Sequence, residues 1–114
     1  MTTQTVNGLD EARAALARGD TALASPPFAA CHAGIGYYEA MLEQLRTEYA
    51  ETAFTFTLCC GDDPAMAHEA LRRGFTSVRC ATSPAMHEKL AAIALMGGGR
   101  LIAFDGDAGM GGCP

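Results

Sequence analysis

The spacing of apolar residues changes several times along the chain, and each change marks an element. Leu9, Ala12 and Leu16 recur at helical intervals, which predicts a short helix over 9–18 that Gly19 and Asp20 stop. The apolar stretch 21–25 reads as a strand, ended by Pro26 and Pro27 because proline cannot donate to a ladder. Residues 26–34 then form a long strand-to-helix loop, unless Phe28 to Cys31 extend the strand. Tyr38, Met41, Leu42, Leu45 and Tyr49 share one face of a helix over 35–50, with Glu39, Glu43 and Arg46 opposite. Over 53–60 the pattern shifts to strict alternation: Phe54, Phe56 and Leu58 against Thr55 and Thr57, a strand. An aspartate before Pro64 opens the next helix and Gly74 closes it. A strand over 75–80 follows. Ser83 and Pro84 open a further helix with Met86, Leu90, Ile93 and Ala94 inward, Gly97 to Gly99 end it, and 100–105 is the last strand.

Helices between short strands imply parallel strands joined by right-handed crossovers. The expected fold is α/β, a small open four-stranded parallel sheet, three-layered and similar to flavodoxin-like folds. Residues 1–105 form one domain and 106–114 a flexible Gly-rich tail. The alternative is a one-sided, half-barrel-like sheet, in which strands stand in simple order and all helices cover one face. The other face, with Thr55, Thr57, Ser77 and Arg79, is polar enough to allow this. It would have to close into a barrel or pack on a second subunit, so a homodimer is expected.

Composition narrows the function. The net charge of −5 argues against a nucleic-acid partner, for which a basic stripe is the usual footprint. No apolar run approaches the roughly 18 residues of a membrane span, so no membrane association is expected. The opening residues show no basic segment leading into an apolar one, which points to a cytoplasmic location. Five cysteines, an odd number with Cys59 and Cys60 adjacent, do not suit a disulfide scaffold and point to free thiols.

Parallel sheets bind ligands outside the carboxyl ends of their strands. On the expected fold this edge gathers Cys31 and His32 after the first strand, and Cys59 and Cys60 followed by Asp62 and Asp63. It also gathers Arg79 and Cys80, Asp105, and beyond it Cys113. Cys80, beside Arg79, and Cys60 are the candidate catalytic thiols; the plainer reading is that buried cysteines act as small apolar side chains. Cys31 and His32 could ligate a metal with a strand-end cysteine, although no cofactor is specified. Gly34 and Gly36 either cradle a phosphate or simply permit a turn. Tyr37 and Asp62 could line a pocket, and His87 lies close by. Arg79 either anchors a carboxylate or phosphate or is a charge that guards an edge strand. Cys113, second from the end of a Gly-rich tail, is placed in a way similar to the terminal cysteine of sulfur-relay carriers. The leading reading is a binding or accessory domain for a small molecule or protein partner. The alternatives are a thiol-dependent sulfur-transfer or redox protein, and a Cys/His metal-binding module.

Overall fold

Strands and helical segments alternate through residues 3–103, the part of the chain that the computed structural model describes, with two successive helices between the second and third strands. The strands are β1 (Gln4–Thr5), β2 (Ala22–Ala24), β3 (Thr55–Cys59), β4 (Ser77–Cys80) and β5 (Arg100–Ala103). The helices are α1 (Leu9–Ala17), α2 (Ala29–Ala33), α3 (Ile35–Glu48), α4 (Pro64–Arg72) and α5 (Pro84–Met96). The chain is thus an α/β protein with a parallel sheet and alternating helices, flavodoxin-like in its alternation, with five strands where four were expected. Asp105 and the Gly-rich stretch 106–114 lie outside the described residues. Among the described residues no helix is long and apolar enough to cross a membrane.

The added strand, β1, is short and exposed, pairing Gln4 with Leu23 and Thr5 with Ala24. Two polar residues carry no alternation, and the nearby apolar signal is Val6, which is buried and donates its amide to the Ala24 carbonyl. The expected loop 26–34 contains a further helix, α2. Gly34, with φ of +91°, separates it from α3. Five residues are too few to display helical periodicity, which is why α2 escaped the pattern.

The strands stand side by side in chain order, each parallel to the next. Register then sorts their side chains, because successive residues point to opposite faces. Leu23 pairs with Phe56 and Leu58 with Val78, and these four are almost fully buried. They join one continuous core to which every helix contributes, including Ala15 and Leu16 of α1, Ala30 of α2, Leu45 of α3, Ala70 of α4 and Leu90 of α5. The opposite face carries Ala24, Thr57, Cys59, Ser77 and Arg79. Among its described residues, Cys59 is the one in a buried apolar cluster, with Phe28 and Ala81 against it. Strand order and core placement therefore follow the one-sided arrangement held as the alternative. Thr57 and Ser77 satisfy each other on that face through a hydroxyl–hydroxyl bond of 2.8 Å.

Two caps aim the helices that leave the carboxyl edge. Asp63 Oδ1 accepts from the amides of Ala65 and Met66, with Pro64 in the first turn. Ser83 Oγ accepts from the Met86 amide at 3.3 Å, with Pro84 in the equivalent place. Such caps are each worth about 1 kcal/mol.

At the opposite edge, α5 enters β5 through a close backbone contact. A Cβ on Gly99 would lie 2.5 Å from the Thr76 carbonyl oxygen, which the Arg100 amide bonds at 2.8 Å. Gly99→Ala should cost about 1–3 kcal/mol in urea unfolding, the range of an overpacked site. Gly36→Ala, whose Cβ would meet nothing nearer than Arg73 Nη1 at 3.9 Å, should stabilise α3 by up to about 1 kcal/mol. Equal effects of the two substitutions would contradict this description of the backbone contact.

Candidate functional site at the carboxyl edge

Parallel pairing brings the ends of β2, β3, β4 and β5 to one edge. Cys31 lies in the helix that follows β2, Cys59 ends β3 with Cys60 next to it, and Cys80 ends β4. The four cysteines of the described region therefore share the edge on which they were expected. Asp105 and Cys113 lie outside that region.

Two clefts open along this edge. The first, of about 530 Å³, is lined by Asp62, Pro64, Ala81, Thr82, Ser83 and Met86. The second, of about 460 Å³, is lined by Cys80, Thr82, Pro84, His87, Glu88, Ala91 and Ala103. Thr82 belongs to both walls, so the clefts meet over the loop between β4 and α5. Of the expected site residues, Asp62 lines the first cleft and Cys80 the second, joined there by His87. Cys31, His32, Gly34, Gly36, Tyr37, Cys60 and Arg79 line neither.

Cys60 and Cys80 are both fully buried. Burial, then the neighbouring Cys80, Cys31 and Asp63, push the Cys60 thiol up to about 12. Burial, then Asp63, Asp62 and Cys31, push Cys80 up to about 11. Both stay protonated at neutral pH, the opposite of an activated nucleophile. The expected help from Arg79 does not reach Cys80, because neighbours along a strand point to opposite faces. Arg79 does not guard an edge either, since β4 is paired on both sides. Its Nε is buried and has no hydrogen-bond partner among the described residues.

Cys31 is exposed, and its Sγ donates to the Cys60 carbonyl at 3.6 Å. Partial desolvation of the sulfur, then Asp63 and Asp62, raise its thiol as well. Cys59 corrects the expectation of free thiols throughout. It is disulfide-bonded, whereas Cys31, Cys60 and Cys80 are free. Its sulfur lies on the face of the sheet opposite the main core, where it accepts from the Phe28 amide at 3.3 Å.

The remaining candidates are placed as follows. His32 is exposed on α2, its ring stacked on Phe28 with centroids 6.5 Å apart. Among the described residues, no three His, Cys, Asp or Glu side chains are grouped so that they could hold a metal ion. The Gly34 amide donates to the Ala30 carbonyl, so it is engaged within the helix junction rather than offered to an anion. Gly36 lies in the first turn of α3. Tyr37 is half exposed and meets Tyr38 edge to face at 4.9 Å.

Three residues that shape the edge were not among the expected ones. Thr82 and Ser83 form the loop between the clefts, and their signal was a pair of small hydroxyl residues directly before Pro84. Phe28 has a left-handed backbone, φ +56°, and its ring occupies the space beside Gly61 where a Cβ would stand. An aromatic residue straight after two prolines was the available hint.

In the native protein at pH 7.5, Cys31 should react with a thiol reagent while Cys60 and Cys80 react only on unfolding; mass mapping of the alkylated sites checks this. The raised thiols also set a pH dependence. Above the ordinary thiol range near pH 9 the unfolded chain gives up these protons and the folded chain keeps them. Unfolding is therefore favoured as pH rises from about 9 toward 11. Denaturation at graded pH should show stability falling across that interval, and a flat profile would contradict the burial of these sulfurs.

No protein-family model, no curated protein and no solved structure matches this chain.

Proposed function

We propose that the chain is a small-ligand-binding domain whose site is the pair of clefts at the carboxyl edge. The observation that carries this reading is their junction at Thr82, between the two capped helix starts. The caps engage the first free amides of α4 and α5, leaving hydroxyl groups and carboxylates to face a ligand. The walls contain Asp62, His87 and Glu88 but neither arginine nor lysine, which favours a neutral or cationic polar molecule over an anion. The one thiol in the walls, Cys80, is held protonated, so the site is suited to holding a molecule rather than attacking it.

The test is a nuclear magnetic resonance screen of small neutral and amine-bearing compounds against the full chain. A binder should shift the amides of Asp62, Thr82, Ser83 and His87 together. Thr82→Trp, which fills the junction, should weaken that binder at least about tenfold, a loss of about 1.4 kcal/mol, with the melting temperature little changed. Shifts that cluster elsewhere, or a binder indifferent to Thr82→Trp, would overturn the proposal.

A further inference from the structure

The two clefts divide their charge evenly. Asp62, in the loop between β3 and α4, lines the first cleft and not the second, and Glu88, one turn into α5, lines the second and not the first. The neighbour of Asp62, Asp63, is occupied as the cap of α4, where it accepts two amides. Among the described residues neither Asp62 nor Glu88 joins an ion pair, whereas arginines hold Asp10, Asp20, Glu39, Glu48 and Glu69. Each cleft thus keeps one carboxylate without a counter-charge.

The surface between these carboxylates is of another kind. Ala81 and Met86 line the first cleft beside Thr82, and Ala91 and Ala103 line the second, so apolar groups lead away from Thr82 on both sides. The Cys80 thiol is held protonated and adds no charge. Resting on the cleft reading above, we propose that the joined clefts take a linear dication, an alkyl chain with a primary ammonium at each end, Asp62 holding one end and Glu88 the other. An ammonium has three donors and no acceptor, which suits a carboxylate with no other cation beside it. The alkyl chain covers the apolar walls, and the net charge of −5 raises the local concentration of cations. Both carboxylates are exposed, so a single ammonium gains little from either and salt screens it. Joining two ammoniums in one molecule makes the second contact intramolecular, and this separates a dication from a simple amine.

The test is an amide-shift titration of the full chain at low ionic strength. The probes are diaminobutane, diaminohexane and diaminooctane, each beside the monoamine of equal chain length. One diamine should bind at least about tenfold more tightly than its monoamine, shifting Asp62, Thr82 and Glu88 together. Asp62→Asn and Glu88→Gln should each bring that diamine down to the affinity of the monoamine. The monoamine, which can use either carboxylate, should lose no more than about twofold in each variant. A diamine no tighter than its monoamine, with both still shifting the cleft amides, would overturn the dication and leave the cleft reading standing. Full diamine affinity in either variant, or no shift with any amine, would overturn the dication as well. Shifts confined to residues outside the clefts would overturn both readings.

Discussion

Each of the strands β1 to β4 is followed by a helical segment that returns over the same face, and the rest of the structure depends on that single direction of winding. A right-handed crossover repeated in chain order keeps adding helices to one side. The described residues therefore place the large apolar side chains on one side of the sheet and small and hydroxyl-bearing residues on the other, separated by a single layer of backbone. Every strand-to-helix loop emerges at the same edge, so groups far apart in the chain, such as Asp62 and His87, are brought within one short stretch of surface.

Ion pairs support this winding without determining it. Arg13 on α1 reaches Glu48 on α3, and Arg73 at the end of α4 reaches Glu39 on α3, tying neighbouring helices at their exposed flanks. Exposed pairs of this kind contribute little each. The larger stabilisation comes from side chains such as Leu23, Leu45, Leu58 and Val78, which lose all contact with solvent.

Much of the fold was legible because its signals are periodic or local. Alternation from Phe54 to Leu58 identified β3, and the two proline-capped helix starts lay where Asp63 and Ser83 placed them. What escaped was too short to have a period, namely β1 and α2. The carboxyl edge was legible in the strand direction, and the residues that line its clefts were less so. A carboxyl edge can be inferred from strand direction, but which of its loops stand apart to leave a cleft depends on how α4 and α5 pack. That is why Thr82 and Ser83 were not expected in the cleft walls, whereas Asp62 and Cys80 had been placed at that edge. The expected partnership of Arg79 with Cys80 failed on a simpler ground. Adjacency along a strand is separation across a sheet.

The same rule acts on Cys59 and Cys60, and there it has a consequence for reactivity. These two sulfurs are one peptide bond apart, yet the sheet stands between them as a partition, with the apolar core on one side and the Phe28 cover on the other. The two sulfurs therefore meet different surroundings, Cys60 in the core and Cys59 against Phe28 and Ala81. Two adjacent residues thus occupy different oxidation states, Cys59 in a disulfide and Cys60 as a buried thiol.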